Sequence, residues 1–458
     1  MRARSEARTR MSKRFDVIVI GMGPGGETVA QRLMAAGKSV AVVEKELIGG
    51  ECPYWACMPS KALLRPVEAR AEASHAAGIS TPAVDWAKIR NYRDIIVGYH
   101  DDSSRVDAYR SDGATVIKGE GRLAGPGQVT VNGERLTADN IILATGSRQA
   151  WPSVEGLDQV PVWTNREATS LTEIPERALL IGGSAVGVEL GTFLSRMGSR
   201  VTIVQRGPRL LGREVPELSE LVAARLVKDG IDVRVRCQAR AVRREGQDTV
   251  VELDDGTSVR VDVVVLASGR ALRTDLGLES VGVRTGARGE VPIDQHCRVA
   301  DGLWAVGDIT GVALFTHMAL YQGRVVADNI LGTPHVANYT GIPRVVFAEP
   351  EIAAVGLTTD AARRQGIDVA TAQIDLPRSI RRPETYETEP SGTLGLIADR
   401  SRRILVGAWA VSPLAGEWIH TGALAVRAQL PIDVLLDGIA QFPTYNEAYY
   451  EAAAALGL

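Results

Sequence analysis

Phe15-Asp-Val-Ile-Val-Ile-Gly21-Met-Gly-Pro-Gly-Gly26 is the stretch that decides the fold. Its first six residues are largely apolar, as in a strand buried inside a parallel sheet. Glycines at G-x-G-x-x-G spacing follow at once. Residues 27–36 have helical composition, and a second apolar strand, 39–43, runs into Glu44. A lone glycine motif carries little information. Placed between a strand and a helix, with a carboxylate at the end of the next strand, it marks a dinucleotide-binding βαβ unit. Glu44 stands close to the ~20-residue spacing at which such a carboxylate meets a ribose hydroxyl.

The pattern occurs twice. Residues 178–181 form a second apolar run, followed by Gly182-Gly-Ser-Ala-Val-Gly187, a helix that contains Glu189, and a strand over 201–204. Two such units imply two nucleotides, or one unit that has decayed. Residues 129–131 and 141–143 read as short strands, the latter running into Ala144-Thr145-Gly146-Ser147. Residues 261–266 read as a strand leading to Gly269, and 303–306 as one leading to Gly307-Asp308. From Gly341 onward, strand-like segments mix with amphipathic helices, the pattern of a separate α+β domain.

Composition narrows the function. The 458 residues carry 52 Lys+Arg against 55 Asp+Glu, a net charge of −3, so no basic surplus exists to meet nucleic-acid phosphates. No apolar run reaches the ~18 residues of a membrane span. Four cysteines are too few for a disulfide framework. Cys52 and Cys57 lie close together, which reads as a reactive pair in a reducing compartment. Cys237 and Cys297 are isolated and read as packing residues. No metal-ligand constellation is visible. The Arg-rich start lacks an apolar core and is not a secretory signal. It reads as a disordered tail over 1–14 of a cytoplasmic protein.

The segment Gly49-Gly50-Glu51-Cys52-Pro53-Tyr54-Trp55-Ala56-Cys57-Met58-Pro59-Ser60-Lys61 carries the chemistry. Two thiols directly after a nucleotide-binding unit can exchange electrons with a flavin. A helix expected to begin near Pro59 would favour a thiolate through its dipole. The alternative is two buried, inert cysteines. Glu51, beside Cys52, is expected to raise the thiol's pKa. Tyr54 and Trp55 either line the approach as a stacking surface for a planar substrate or pack against a domain interface.

This segment resembles the pattern GGxCxxxxCxPSK of the FAD-dependent pyridine nucleotide–disulfide oxidoreductases. The family includes dihydrolipoyl dehydrogenases, glutathione reductases and mercuric reductases. The family's ATGS pattern fits residues 144–147 and its VGD pattern fits 306–308, and the likeness extends over nearly the whole chain. The resemblance implies an α/β fold with two Rossmann-like dinucleotide-binding domains and a C-terminal α+β dimerisation domain. The FAD-binding domain would take residues 15–150 and 271–337, the NAD(P)-binding domain 151–270, and the dimerisation domain 341–458.

The resemblance also implies roles. Gly21, Gly23 and Gly26 would admit the FAD pyrophosphate to a helix N-terminus. Glu44 would hold the adenosine ribose and Asp308 the ribityl or phosphate end. Gly50, Gly121, Thr145, Gly146 and Ser147 would line the flavin site. Cys57 would face the flavin as the charge-transfer thiol and Cys52 the substrate as the interchange thiol. Lys61 would pair with Glu189 near the flavin. Gly182, Ser184, Gly187, Gln205, Arg206 and Gly269 would meet the nicotinamide nucleotide. The expected assembly is a homodimer that reduces a small molecule, without nucleic-acid or membrane partners.

Three departures from the pattern matter. The family's disulfide reductases end on His-Pro-Thr-x-x-Glu, whose histidine moves protons for the interchange thiol. Here Phe442 occupies the histidine position and Glu447 remains. The six histidines, His75, His100, His296, His317, His335 and His420, lie elsewhere. General acid–base help of this kind is worth ~10²–10⁴-fold. The second departure is Glu51, Tyr54 and Trp55 around the thiols. The third is Ser184 in place of a glycine, with Gln205 and Arg206 where NADH-using relatives place a carboxylate. NADPH is therefore expected over NADH. The functional expectation is an NAD(P)H oxidoreductase acting on a quinone, another electrophile or an unusual disulfide. The alternatives are a dihydrolipoyl dehydrogenase-like or mercuric reductase-like enzyme, and a flavoprotein redox sensor or non-catalytic subunit.

Overall fold

A computed structural model describes residues 13–458. They form two compact units. The first takes the chain up to Cys57, Val97–Arg148 and Arg270–Asn338; the second takes Met58–Ile96, Gln149–Gly269 and Tyr339–Leu458. The expected disordered tail lies outside the described residues except for Lys13 and Arg14, which belong to the first strand, Lys13–Ile20.

The first unit is built on a sheet with strand order Arg298–Ala300, Leu303–Ala305, Glu134–Leu143, Lys13–Ile20, Val40–Glu44, Thr115–Lys118. Its central pairings are parallel, with Ile20 level with both Val43 and Leu143, and Leu143 level with Ala305. Val17, Ile18 and Val19 are fully buried. They explain the nearly unbroken apolar run: helix residues such as Val29 and Leu33 cover one face of the sheet and strand residues such as Val129 and Leu136 the other, so no alternation is possible. The register has a functional consequence. Because the strands end level, Gly21, Glu44, Thr145 and Gly307–Asp308 all emerge at the same carboxyl edge, where ligands of open α/β sheets bind.

The second unit repeats the theme. Its parallel sheet runs Asp232–Val235, Arg200–Gln205, Arg177–Ile181, Val263–Leu266, Val162–Trp163. The expected single strand over 261–266 is two strands, Ser258–Val261 and Val263–Leu266. Asp262 breaks it: its carboxylate accepts from the Arg177 backbone N–H at 2.8 Å and from the Arg177 guanidinium at 2.5 Å. Cys237 and Cys297 are both buried, as packing residues should be. The C-terminal part of this unit is an antiparallel sheet in the order Pro343–Val346, Glu351–Gly356, Ile404–Ser412, Thr393–Asp399, Val369–Asp375. Helix Ala415–Ala428 buries Trp418, Ile419, Ala423 and Val426 in the same core as strand residues such as Leu394, Leu396 and Ala408. Among the described residues no helix is long and apolar enough to cross a membrane.

Candidate active site

The first glycine turn ends in helix Pro24–Ala35, whose N-cap is Gly23. No side chain caps this helix. A Cβ placed on Gly23 would meet nothing within 4 Å, so the space before the helix N-terminus is open. A Cβ on Gly26, by contrast, would strike the carbonyl oxygen of Gly21. Glu44 is buried, and its two carboxylate oxygens accept from the backbone N–H of Met22 at 2.7 Å and of Glu46 at 2.8 Å. The carboxylate thus holds the turn in shape from below. Gly50 has φ +71°, and a Cβ there would come within 2.8 Å of the Gly23 Cα. The loop that precedes the thiols is therefore laid directly on the glycine turn.

At the same edge, Thr145 Oγ1 donates to the Arg273 carbonyl at 2.8 Å, and Gly146 accepts from the Arg273 N–H at 3.0 Å. Ser147 donates to Asp308 Oδ2 at 2.5 Å, while Arg270 Nε donates to the Ser147 hydroxyl at 3.0 Å. Burial pushes the Asp308 carboxyl above its ordinary value. Gly121 sits over Ile20 and Val43, where a Cβ would come within 3.1 Å of either side chain. Open space at an uncapped helix N-terminus, with a close-packed glycine floor, suits a nucleotide pyrophosphate. The residues present fit bound FAD.

The thiols lie on two consecutive helices, Glu51–Trp55 and Cys57–His75. The second begins at Cys57, two residues earlier than expected, so the thiol itself opens the helix. The two sulfurs are not joined. The Cys52 thiol is pushed far up, first by its hydrogen bond with Cys57, then by burial and by the charge on Cys57. Glu51 is not the cause, contrary to the expectation from sequence. Its carboxylate faces Arg270 and Arg273, each at 3.7 Å, and these cations offset its charge. Tyr54 is buried and donates to the Ile48 carbonyl at 3.1 Å, so it offers no surface to a substrate. Trp55 is half-buried and stacks on His100, with centroids 5.5 Å apart. His100 Nε2 in turn lies 3.2 Å from the Tyr54 carbonyl.

In the second unit, Lys61 Nζ donates to Glu189 Oε2 at 2.7 Å, and Glu189 Oε1 accepts from the Phe347 N–H at 3.0 Å. Lys61 also sits 4.5 Å from the Phe347 ring centre. The expected pair thus forms, and a backbone donor and an aromatic face hold it in place. Ser184 is the N-cap of helix Ala185–Arg196, but its hydroxyl donates to the Ala267 carbonyl at 2.9 Å. Gln205 Oε1 accepts from the Gly183 N–H at 2.9 Å. Arg206 is exposed. Arg209, nearby, has a buried Nε without a hydrogen-bond partner. Gly187 packs against the Gly182 carbonyl, and Gly269, with φ +120°, accepts from the Ala150 N–H at 3.0 Å.

The C-terminal segment behaves differently from the other candidates. Phe442 is 73% exposed. Glu447 accepts from the Thr444 N–H at 2.9 Å in a capping box on the short turn Tyr445–Glu447 that precedes the last helix. Tyr445 is buried against Trp418, with rings stacked 5.9 Å apart, and burial pushes its phenol up.

Two contributors at the first unit's edge had no local signal. Thr316 Oγ1 lies 3.4 Å from Cys57 Sγ although the residues are 259 positions apart. Arg273 reaches Thr145, Gly146 and Glu51 from a distant stretch of chain. Among the described residues no group of three or more His, Cys, Asp or Glu side chains could hold a metal ion.

Comparison with known proteins agrees with this geometry. The pyridine nucleotide-disulphide oxidoreductase family matches residues 15–323, and that family's dimerisation domain matches 342–453. The chain belongs to this family: it is a FAD-dependent pyridine nucleotide–disulfide oxidoreductase. Its dimerisation domain indicates a homodimer. Among relatives, a mercuric reductase of Streptomyces lividans is 36% identical over 96% of this chain and 95% of its own length. A dihydrolipoyl dehydrogenase of Chlamydia muridarum is 32% identical over 97% of each. The Cu(II) complex of the HOCl-induced flavoprotein disulfide reductase RclA from Escherichia coli superimposes with a TM-score of 0.86 at 25% identity. It covers 96% of this chain and 99% of that one.

Proposed function

We propose that the protein transfers electrons from NADPH, in preference to NADH, through the Cys52–Cys57 pair to a small acceptor that requires no dedicated proton shuttle, such as a quinone or another electrophile. FAD, when bound, relays electrons between the nicotinamide and the thiols. Gly21, Gly23 and Gly26 hold its pyrophosphate; Glu44 braces the turn beneath it; Gly50, Thr145, Gly146 and Asp308 line the rest of the cradle. Lys61 and Glu189 are held to each other as an ion pair. Cys57 carries the thiolate and Cys52 keeps the proton.

The observation that carries this reading is Phe442. Efficient dithiol exchange needs a base for the interchange thiol, and the position of the family's histidine holds an exposed phenyl ring. The neighbouring Tyr445 is buried with its phenol raised, which disfavours it as a substitute base. The preference for NADPH is supported by Gln205, which carries no charge to repel a 2′-phosphate, and by Arg206 and Arg209 beside it.

A second reading, reduction of a thiophilic metal ion, is favoured by the mercuric reductase among the relatives and by RclA's copper complex. We place the protein in the cytoplasm, where thiols stay reduced.

Anaerobic stopped-flow reduction followed by an acceptor panel tests the proposal. NADPH should reduce the flavin faster than NADH. Quinone turnover should exceed that with dihydrolipoamide or glutathione disulfide, and mercuric and cupric ions report on the second reading. Phe442→His should raise dithiol turnover, up to ~10²-fold of the general-base effect, and leave quinone turnover unchanged. Dihydrolipoamide turnover by the wild type at the quinone rate would overturn the reading. Absence of turnover with every acceptor would favour a redox sensor.

A further inference from the structure

The first unit brings His100 onto the short helix that bears Cys52. Cys52 and Trp55 stand three positions apart on helix Glu51–Trp55, the spacing at which helical side chains are neighbours. The Trp55 indole stacks on the His100 imidazole, 25° from parallel, with centroids 5.5 Å apart. A second contact fixes the imidazole. Its Nε2 lies 3.2 Å from the Tyr54 carbonyl, and a carbonyl only accepts, so Nε2 bears the hydrogen. Tyr54 is itself anchored through its hydroxyl to the Ile48 carbonyl at 3.1 Å, and its ring lies 6.2 Å from that of His100. The backbone is bent to make this arrangement. Gly98, Tyr99 and His100 have φ of +58°, +52° and +58°, three consecutive left-handed residues of which two carry side chains. Holding a non-glycine residue there costs conformational energy, and such residues cluster at ligand sites. The turn leaves the Tyr99 ring, next in the chain to the stacked imidazole, 67% exposed.

We propose that the Trp55–His100 stack is the platform on which the electron acceptor docks beside Cys52, and that it selects a neutral, planar aromatic ring such as a quinone. Cys52, Trp55 and His100 are each half-buried, so a small molecule can reach all three. Aromatic rings gain from offset stacking on one another, and here two protein rings are already held in place to receive a third. The charges on the surrounding elements are matched within the unit. Arg105 pairs with Glu27 at 3.1 Å and Lys118 with Asp102 at 2.6 Å, while Glu51 faces Arg270 and Arg273. A neutral acceptor leaves these pairs intact, whereas a charged one would have to compete with them. The inference rests on the proposed reduction of a small electrophile and names how that electrophile is held.

The test uses the FAD-loaded dimer and duroquinone, a planar quinone whose fully substituted ring does not alkylate thiols, with ferricyanide as a non-planar acceptor for comparison. Equilibrium dialysis measures duroquinone binding to the oxidised enzyme, without turnover. Trp55→Ala and His100→Ala should each weaken binding about fivefold. The ratio of kcat/KM for duroquinone over ferricyanide should fall by a similar factor, through KM rather than kcat. Trp55→Phe and His100→Phe keep an aromatic face and should recover most of the loss. Unchanged binding in both Ala variants overturns the proposal, as does an unchanged acceptor ratio or a pair of Phe variants as weak as the Ala ones. The two readings fail separately. A wild type that turns over duroquinone while both Ala variants bind it normally keeps the proposed function and removes the platform. A wild type that binds duroquinone through Trp55 and His100 but passes it no electrons keeps the platform and removes quinone reduction.

Discussion

The two glycine turns are built to one plan and finished differently. In each, the helix glycine, Gly26 or Gly187, packs against the carbonyl of the turn's first glycine, Gly21 or Gly182. In each, the residue that ends the second strand reaches back to the residue after that first glycine: Glu44 to the Met22 N–H and Gln205 to the Gly183 N–H. The difference lies at the helix N-cap. Gly23 leaves open space there, whereas Ser184 fills its place with a side chain and gives its hydroxyl hydrogen to Ala267. The comparison teaches that the strand-end side chain is first a brace for the turn and only then a candidate contact for a ribose. The first turn leaves room at its helix N-terminus. The second is narrower there, and its brace carries no charge.

The largest effect should come from closing the better cradle. Gly26→Val puts a side chain onto the Gly21 carbonyl, and the variant should purify colourless, with FAD-to-protein absorbance near zero. A yellow variant with a full complement of flavin would show that the turn is not the cofactor's seat.

Glu44→Ala comes next, because it orphans the Met22 N–H inside the first unit. Leaving a buried donor unsatisfied costs ~1–3 kcal/mol, so denaturant midpoints should fall and FAD should dissociate roughly tenfold or more faster. Glu44→Gln keeps one acceptor oxygen and should lose less. If Gln and Ala behave alike, the brace role is wrong.

In the second turn, Gln205→Glu gives both units the same brace. A carboxylate there repels a 2′-phosphate and can accept from a 2′-hydroxyl, so the ratio of kcat/KM for NADPH over NADH should fall by about tenfold. A ratio that does not move would transfer the preference to Arg206 and Arg209, where single alanine replacements can locate it.

Ser184→Gly should have the smallest effect. It removes one neutral hydrogen bond, worth ~0.5–1.5 kcal/mol, and opens space at the helix N-terminus. KM for NADPH should fall about threefold with kcat nearly constant. A rise in KM would mean that the serine itself contacts the nucleotide.

Much of this protein was legible in its sequence because the relevant physics is local. Apolar runs such as residues 15–20 and 178–181 mark buried parallel strands, since both faces must be apolar whatever packs on them. Glycine spacing marks the turns, since only a missing Cβ admits the close contact of Gly26 with Gly21. The thiol pair and its resemblance to a redox motif lie within one short segment. Apart from the Lys61–Glu189 pair, which the family resemblance implied, hydroxyl and charge partners were not legible, because they come from remote chain. Nothing near Ser184 in sequence announces Ala267, whose carbonyl takes its hydroxyl hydrogen. Glu51 adjoins Cys52 in sequence, but Arg270 and Arg273 face its carboxylate. Tyr54 and Trp55 look alike in sequence, yet one is buried and the other stacks half-exposed on His100. Backbone sterics and burial patterns repeat along the chain and can be read from it. Which donor meets which acceptor depends on how strands and helices register in three dimensions, and only the folded sheet brings the Thr316 hydroxyl to Cys57.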